Sequence, residues 1–250
     1  MKISLLLPCK NEIVGLRVYL PDLLAAGYHQ LLVVDGGSTD GSIEYAESLG
    51  CEVVRQKGKG VPAAYRESYD KLTGDAIIVF SPDGNSKKEA LPDLIAKLEE
   101  GYDLVICSRY KDDARSFDDT FMTGLGNWGF TLLISLFGHR YTDALVMYRG
   151  YRRDLPEKLG LTYSRGEKFE NTRGMYSAWE SVMCVRAAKA HLRITEVAAD
   201  EPVRLDTTGQ GLLLPATRIQ HYRIGFYILM QIGEEIIRWR WPLRGGGYGP

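Results

Sequence analysis

Over the first 110 residues, short apolar runs alternate with longer segments in which apolar positions recur at helical spacing. The apolar runs are rich in Val, Ile and Leu and predict buried strands over residues 3–7, 31–34, 52–54, 76–80 and 104–107. The amphipathic segments predict helices over residues 14–24, 42–49, 62–72 and 89–98. Strands and helices that alternate in this way predict an α/β fold with a largely parallel central sheet flanked by helices.

Beyond residue 110 the pattern is less regular. Residues 111–119 are charged and residues 163–174 are polar, so both segments are predicted to be loops. The remaining periodic segments predict strands over 144–147 and 192–197, and helices over 127–137, 177–190 and 219–239. We place a domain boundary after residue 210, which gives an α/β domain of residues 1–210 and a mainly helical C-terminal extension of residues 211–250.

The composition narrows the class of protein. The formal net charge is −1, whereas domains that bind nucleic acid are normally basic, so no nucleic-acid partner is expected. The four cysteines are widely spaced and lie in or beside apolar runs, which predicts reduced, mostly buried thiols in a cytoplasmic protein. The N-terminus does not resemble a signal peptide, and no stretch of about 18 apolar residues predicts a transmembrane helix.

Polar loops follow three of the predicted strands and begin at Pro8, Asp35 and Ser81. In a parallel sheet such loops lie at the carboxyl ends of the strands, where ligands bind. Asp35 ends its strand and is followed by glycines, so its carboxylate could accept hydrogen bonds from a nucleobase or ribose while the backbone turns close to the ligand. The alternative for this loop is a plain turn, with Asp40 as the N-cap of the next helix.

The chain resembles the family 2 glycosyltransferases in Asn11-Glu12, after the first strand, and in the run from Val33 to Ser42, VVDGGSTDGS. The resemblance spans roughly residues 3–210 and is densest before residue 110. It implies a GT-A fold and an inverting enzyme that uses a nucleotide-diphosphate sugar, either a UDP-sugar or a GDP-sugar. It also implies that the donor is bound by Pro8, Asn11, Glu12, Asp35 and Gly37.

The metal-binding motif of that family, Asp-x-Asp, aligns with Ser81-Pro82-Asp83, which Gly84-Asn85 follows. Ser81 replaces the first acid, which leaves Asp83 and Asn85 as the predicted metal ligands. Both offer oxygen atoms, which suit Mg²⁺ or Mn²⁺, and such ions commonly take one or two carboxylates together with substrate phosphates. Because every residue of this segment favours turns, a generic turn is the alternative.

Further segments resemble the dolichyl-phosphate mannosyltransferase-like branch of the family. Lys57 and Lys59 lie in a basic turn that resembles a segment near the nucleotide, and a solvated turn is the alternative. Arg109, in Cys-Ser-Arg-Tyr, would offer a planar, permanently charged donor to a diphosphate. Asp143 lies in a segment where donor sugar and acceptor meet, or else caps a turn. Arg204 lies in a segment whose arginine can close over phosphates.

These residues predict how the sugar is transferred. A divalent ion on Asp83, together with Arg109 and with Arg204 or a lysine of the basic turn, would neutralise the charge that builds on the departing diphosphate. An acceptor hydroxyl would need a general base, for which Asp143 and Glu180 are candidates, whereas a phosphate acceptor is already ionised. Glu180 enters an apolar helix, where burial would raise the pKa of its carboxyl group; the alternative is an acid that stabilises the helix N-terminus.

The acceptor depends on the second half of the chain. The predicted helices over 127–137 and 226–239 are apolar, and the second leads into tryptophans and arginines that suit a membrane surface. They indicate a polyprenyl phosphate acceptor, dolichyl or undecaprenyl, and peripheral contact at the cytoplasmic face of a membrane. Core helices are the alternative.

Two other functions stay open: a glycosyltransferase with a soluble acceptor, and a non-catalytic protein that binds nucleotide sugars. A nucleotide-sugar pyrophosphorylase is disfavoured because the loop after the first strand, Pro-Cys-Lys-Asn-Glu, has no glycine. A dehydrogenase is disfavoured because no Gly-x-Gly-x-x-Gly follows that strand.

Overall fold

The computed structural model describes residues 1–163, 179–205 and 218–238, and in the last range it describes the side chains of residues 225–237. The strands in these residues are β1 Ile3–Cys9, β2 Gln30–Asp35, β3 Glu52–Arg55, β4 Ala76–Val79, β5 Leu104–Ser108, β6 Arg149–Arg152 and β7 Ile194–Ala198. The helices are α1 Ile13–Ala25, α2 Ser42–Ser48, α3 Val61–Ser68, α4 Leu91–Glu99, α5 Phe121–Ser135, α6 Leu155–Lys158, α7 Trp179–Lys189 and α8 Arg218–Arg238. The 3₁₀ turns Tyr69–Lys71 and Lys88–Ala90 extend α3 and precede α4.

The strands form one mixed sheet in the order β3-β2-β1-β4-β6-β5-β7. Of these strands, β6 alone is antiparallel to its neighbours, β4 and β5, and the other pairings are parallel. The remaining strands therefore all end at one edge of the sheet, with their last residues at Cys9, Asp35, Arg55, Val79, Ser108 and Ala198. The loops after these residues form the edge at which ligands bind in such folds.

The strands and helices predicted for the first 110 residues are confirmed, with end points that differ by at most two residues once the 3₁₀ turns are counted. The predictions for β7, α7 and α8 are also confirmed to within two residues. Most of the predicted loop over 163–174 lies outside the described residues. The strong period of these segments explains the agreement, because a long apolar face has to be buried against the sheet.

The prediction of a strand over 144–147 is wrong, because the strand of this region is β6, at Arg149–Arg152. The Arg149 side chain is buried, and its guanidinium donates to the carbonyl oxygens of Ala144, Val146 and Glu180. Gly150 faces Leu94 of α4, and a Cβ at this position would overlap that leucine. The strand is therefore central although its sequence, RGYR, is polar, because tertiary contacts satisfy its polar groups.

Helix α5 begins at Phe121, six residues before the predicted start at 127. A capping box sets this start: the Thr120 hydroxyl accepts a hydrogen bond from the Thr123 amide at 3.2 Å, and the Thr120 amide donates to the Thr123 hydroxyl at 2.8 Å. The preceding segment, 111–119, contains no strand, as predicted, but Ser116 forms an isolated parallel bridge with Glu201.

Apolar side chains fill both faces of the sheet. Leu5 and Leu7 of β1 belong to a cluster that includes Leu16 of α1 and Leu94 of α4. Alternate strand residues, such as Leu6, face the opposite cluster, to which α3, α5, α7 and α8 contribute. All four cysteines are buried and unpaired, as predicted.

Helix α8 belongs to the same core as the sheet. Its Ile228 and Ile232 are buried in the cluster that covers α7. Its Glu235 is also buried and accepts hydrogen bonds from Nη2 of Arg186 at 2.7 Å and Nε at 2.9 Å. The predicted boundary at 210 falls outside the described residues. Among the helices that the structure describes, none has the length and apolar character needed to cross a membrane.

Candidate functional site at the carboxyl edge of the sheet

The loops after β1 and β2 are bound to each other. Asp35, at the end of β2, is buried and accepts a hydrogen bond from the Ser38 amide at 2.8 Å. Asn11 adopts a φ of 56°, which asparagine tolerates better than most residues. The backbone amide of Asn11 donates to the Ser38 hydroxyl at 2.9 Å, and its side-chain Oδ1 accepts from the Thr39 backbone amide at 2.8 Å. Asn11 and Asp35, which are predicted to bind the nucleotide sugar, therefore lie in one joined turn. Of the other residues predicted to bind it, Pro8 is buried in β1 and Gly37 lies in the same turn with a φ of 90°.

The prediction of Asp40 as the N-cap of α2 is wrong, and Asp40 instead accepts hydrogen bonds from the first amides of two helices. The N-cap of α2 is Gly41, and Asp40 precedes it. Its carboxylate accepts hydrogen bonds from the Ser42 amide at the start of α2 and from the Ile13 amide at the start of α1, both at 3.0 Å. The Ser42 hydroxyl in turn accepts from the amide of the buried Glu12 at 3.0 Å. These bonds satisfy the first amides of two helices and fix their positions at the site.

The basic turn after β3 is held by a carboxylate. Glu67 of α3 accepts hydrogen bonds from the backbone amides of Lys57 at 2.6 Å and Gly58 at 2.8 Å. The side chains of Lys57 and Lys59 are exposed. The backbone of the turn is therefore fixed, while its two ammonium groups lie in solvent at the same edge of the sheet.

The loop after β4 is packed on both sides. Asp83 is buried, and its Oδ1 accepts from the Asn85 amide at 3.0 Å. On one side a Cβ at Gly15 of α1 would overlap the carbonyl oxygen of Pro82. On the other side the Leu205 amide donates to the Asp83 carbonyl at 2.9 Å, and a Cβ at Gly84, where φ is 103°, would lie 2.8 Å from that amide nitrogen. The position of the Asp83 carboxylate is thus set by α1 and by the segment after β7.

Asn85 carries a buried oxygen atom without a hydrogen-bond partner in the described residues, its Oδ1. Its Nδ2 donates to Oδ2 of Asp118 at 3.2 Å, and Nε of Arg204 donates to the same oxygen at 3.2 Å. Arg204 is thereby linked through Asp118 to the loop that carries Asp83, and its role at a phosphate stays a prediction. Asp118 was not predicted, because nothing in the sequence distinguishes it from the other acids of the charged segment 111–119.

The residues at this corner fit a divalent cation that takes most of its ligands from a substrate. No group of three or more His, Cys, Asp and Glu side chains in residues 1–163, 179–205 and 218–238 is arranged to hold a metal. Asp83 offers a buried carboxylate, and Asn85 offers a carbonyl oxygen that lacks a partner among the described residues. A buried oxygen without a partner is costly unless a ligand completes it. Two protein oxygens of this kind match the small protein share in many Mg²⁺ sites.

Arg109, after β5, is enclosed by carboxylates. Its Nε donates to Oδ2 of Asp143 at 2.6 Å and its Nη2 to Oδ1 at 3.1 Å, and its Nη1 donates to both oxygens of Glu201, at 3.1 and 3.2 Å. Asp143 is completely buried. Nη2 also donates to Oδ1 of Asn127 at 3.3 Å, and Asp119 lies 3.8 Å from Nη1. The structure therefore brings Arg109 and Asp143 together in one ion pair, with Glu201 as a third member, and their roles in transfer stay predictions.

Burial and charge act in opposite directions on this group. Burial is the largest single effect and disfavours the charged Arg109, but the attraction and hydrogen bonds of Asp143, together with the attraction of Glu201, outweigh it and raise the pKa of the guanidinium above its ordinary value. For Glu201 burial is the larger effect and raises the pKa of its carboxyl group, although Arg109 lowers it. Asp143 is held from behind by Glu196, which accepts from the amides of Thr142 and Asp143 at 3.0 Å.

Glu180 lies apart from this ion pair, in the first turn of α7. Its Oε1 accepts a hydrogen bond from the Tyr65 hydroxyl of α3 at 3.2 Å, and the guanidinium of Arg149 donates to its backbone oxygen at 3.2 Å. Burial raises the pKa of its carboxyl group, although Arg149 lowers it, so the predicted direction is confirmed. Its role as a base stays a prediction.

The sequence is similar to those of known glycosyltransferases. The family model described as glycosyl transferase family 2 matches residues 4–160. Glycosyltransferase AglJ of Haloferax volcanii is 32% identical over 157 residues, which are 61% of this chain and 50% of that protein. The undecaprenyl-phosphate 4-deoxy-4-formamido-L-arabinose transferase of Klebsiella pneumoniae is 29% identical over 170 residues, 62% of this chain and 50% of that protein. The chain thus spans about half the length of these curated relatives.

Solved structures of glucosyl-3-phosphoglycerate synthase from Mycobacterium tuberculosis share the fold. The complex with Mn²⁺, UDP-glucose and phosphoglyceric acid has a TM-score of 0.63 at 20% identity and covers 93% of this chain and 80% of that chain. The complex with Mg²⁺ and UDP has a TM-score of 0.63 at 19% identity and covers 93% and 79%. The GT-A fold predicted from the sequence is confirmed. Because the family model also matches more than half of its length, the chain belongs to glycosyl transferase family 2.

Proposed function

We propose that the protein is an inverting, metal-dependent glycosyltransferase that moves a sugar from a UDP-sugar or GDP-sugar to the phosphate of a polyprenyl lipid. The observation that carries the proposal is the corner formed by Asp83 and Asn85 after β4, where a buried carboxylate lies beside a buried oxygen without a partner in the described residues. This corner lies at the same sheet edge as Asp35, so a nucleotide and its diphosphate can be held by the loops after β2, β1 and β4, which are consecutive in the sheet.

The donor would be bound along this edge. The joined turn of Asn11 and Asp35 would receive the nucleoside, because buried carboxylate and amide groups accept and donate the hydrogen bonds that a base and a ribose offer. The exposed Lys57 and Lys59, on the neighbouring loop after β3, would attract the negatively charged diphosphate of the donor. The structural relatives were crystallised with UDP-glucose or UDP and a divalent ion, which supports a nucleotide-sugar donor for this fold.

Asp83 and Asn85 would hold the cation. When bound, Mg²⁺ or Mn²⁺ supplies a Lewis acid for the diphosphate, whose negative charge grows as the bond to the sugar breaks. Arg204 lies next to Asn85 through Asp118 and would add a second positive charge at the departing diphosphate. Inversion needs no protein nucleophile, so these residues act by binding, orientation and charge.

The surroundings of the acidic candidates favour a phosphate acceptor over an alcohol. Asp143 is completely buried and bound to Arg109, and Glu180 is bound to Tyr65 of α3. A general base has to come within hydrogen-bond distance of the hydroxyl that it deprotonates. A phosphate monoester is largely ionised at neutral pH, since its second pKa is about 6, and needs no base. Arg109 would then orient the acceptor side of the site together with Asp143.

A lipid acceptor is supported by an exposed apolar face on α5. Its members are spaced at helical intervals along one side of the helix and comprise Phe121, Leu125, Trp128, Leu132 and Leu136. Phe121 is 83% exposed, Trp128 64% and Leu136 70%. A continuous apolar face of this kind is unusual on a soluble monomer and suits the surface of a membrane. The name of the relative from Klebsiella pneumoniae, a transferase that uses undecaprenyl phosphate, supports the same acceptor. We place the protein peripherally, at the cytoplasmic face of a membrane.

The experiment is a transfer assay with purified protein, labelled UDP- and GDP-sugars, Mn²⁺, and either undecaprenyl phosphate or a soluble alcohol as acceptor. We expect label to enter the lipid and not the alcohol. Label in the alcohol alone would instead identify a glycosyltransferase with a soluble acceptor. Metal-independent binding of the nucleotide sugar without turnover would identify a non-catalytic binding protein.

A further inference from the structure

Asp118 connects two parts of the site that are distant in the sequence. Its Oδ2 accepts hydrogen bonds from Nδ2 of Asn85, on the loop after β4, and from Nε of Arg204, on the segment after β7. Both distances are 3.2 Å. One carboxylate oxygen therefore holds a predicted metal ligand and a predicted phosphate ligand at the same time.

The charge of Asp118 decides how the Asn85 side chain is oriented. An ionised carboxylate accepts hydrogen bonds and donates none, so the amide group of Asn85 has to turn its NH₂ towards it. The other end of the amide, Oδ1, is then fixed in the opposite direction, where it is buried and has no partner in the described part of the chain. An amide at a neutral neighbour could flip, but this one cannot do so without losing its hydrogen bond.

The position of Asp118 is secured by its own loop. Ser116 pairs with Glu201 in a parallel bridge, and the Phe117 amide donates to the Glu201 carbonyl at 2.8 Å. The Leu205 amide donates to the Asp83 carbonyl at 2.9 Å, which closes a ring of three loops around Asp118. The backbone on either side of Arg204 is therefore held by hydrogen bonds, at Glu201 and at Leu205. These bonds fix the position of Arg204 relative to Asp118.

We propose that Asp118 is a positioning residue for the cation and the diphosphate of the donor. It aims Oδ1 of Asn85 at the cation and keeps Arg204 beside the diphosphate. The inference rests on the proposed function, because it presumes that a cation binds at Asp83 and Asn85. Replacing a residue that is hydrogen-bonded to a metal ligand typically weakens metal binding by about 10–100-fold.

The test is a calorimetric titration of UDP, and in parallel of GDP, with and without Mn²⁺. In Asp118→Asn the residue at 118 can donate or accept, so Asn85 is free to flip, and the hold on Arg204 loses its charge. We expect the nucleotide affinity in Mn²⁺ to fall by about tenfold or more, and to fall by less without metal, since metal-free binding uses Arg204 but not Oδ1 of Asn85. Asp113→Asn, an exposed acid of the same loop, is the matched control and should bind as the wild type does.

A second variant separates positioning from a loss of folding. The reciprocal exchange Asn85→Asp with Asp118→Asn restores one donor facing one acceptor and leaves an oxygen directed at the cation. We expect this double variant to recover most of the Mn²⁺-dependent affinity that Asp118→Asn loses. Equal weakening with and without Mn²⁺, or no recovery in the exchange, would overturn the proposal for Asp118. Wild-type binding that Mn²⁺ does not strengthen would overturn the proposed function as well.

Discussion

Arg109 has surroundings that its chemistry alone does not predict. A guanidinium after a strand of this sheet is expected to face a phosphate, but its donors are directed at Asp143 and Glu201. Two carboxylates around one partly buried cation leave net negative charge at this position. An incoming phosphate would have to displace a carboxylate from Arg109. We therefore expect Arg109 to act on a substrate only as part of its ion pair with Asp143.

Glu180 allows a prediction about pH at the scale of one residue. Burial raises the pKa of its carboxyl group above that of an unfolded glutamate, which is about 4.3. Between these two values the folded protein binds more protons than the unfolded chain, so this group makes the protein less stable as the pH rises through that interval. Glu180→Gln removes the effect and can keep the hydrogen bond from Tyr65. We expect the variant to unfold at higher urea concentration than the wild type at pH 7, with a difference that shrinks towards pH 4.

Parallel urea titrations of the two proteins between pH 4 and pH 7 check this prediction. The comparison cancels the other titrating groups, because they are common to both proteins. A variant that is less stable than the wild type by the same amount at every pH would show that Glu180 contributes through its contacts and not through its ionisation.

At the scale of elements, Gly15 decides how closely α1 approaches the Asp83 loop. A Cβ at this position would overlap the Pro82 carbonyl oxygen, which is backbone and cannot turn away as a side chain would. We expect Gly15→Ala to lower the free energy of unfolding by about 1–3 kcal/mol, as overpacking does, and to weaken nucleotide binding in Mn²⁺. Thermal unfolding and calorimetry measure both effects.

Gly124 of α5 is the matched control, because a Cβ there meets no atom within 4 Å. In an open helical position alanine should stabilise by up to about 1 kcal/mol. If Gly15→Ala were as stable as Gly124→Ala and bound nucleotide normally, the close contact between α1 and the Asp83 loop would have no role in shaping the site.

Strands and helices with a regular apolar period could be predicted from the sequence, whereas a strand that depends on contacts with distant residues could not. Periodic apolar segments such as β1 and α4 were predicted, because a long buried face leaves its spacing in the sequence. The strand β6 was missed, because Arg149 and Gly150 suit a central strand only through contacts with α4 and α7. Asn11, Asp35 and Asp83 were placed at the correct edge by the order of strands alone. Asp118 was not, because its partners Asn85 and Arg204 come from distant parts of the chain.

At the scale of the whole molecule, the apolar face of α5 predicts attachment to lipid. Leu132 and Trp128 are exposed members of this face. Burying one such side chain is worth about 1.5–3 kcal/mol. We expect Leu132→Glu to reduce binding to vesicles that contain undecaprenyl phosphate and anionic phospholipid by about tenfold or more, measured by co-sedimentation.

Val18→Glu is the control for charge and exposure, because Val18 is an exposed apolar residue on α1. It should leave vesicle binding unchanged. Equal loss of binding in both variants, or none in Leu132→Glu, would contradict a membrane-facing role for α5.

Metal-dependent sugar transfer at the corner of Asp83 can be decided in a single assay. Transfer of labelled sugar to undecaprenyl phosphate is measured for the wild type, for Asp83→Ala and for the exposed control Asp113→Ala, with Mn²⁺ and with chelator. We expect chelator to stop the wild type and Asp83→Ala to lose at least about a hundredfold in rate, while the variant still unfolds in one cooperative thermal transition. Transfer at the wild-type rate by Asp83→Ala, or in the presence of chelator, would contradict metal-dependent transfer at this corner.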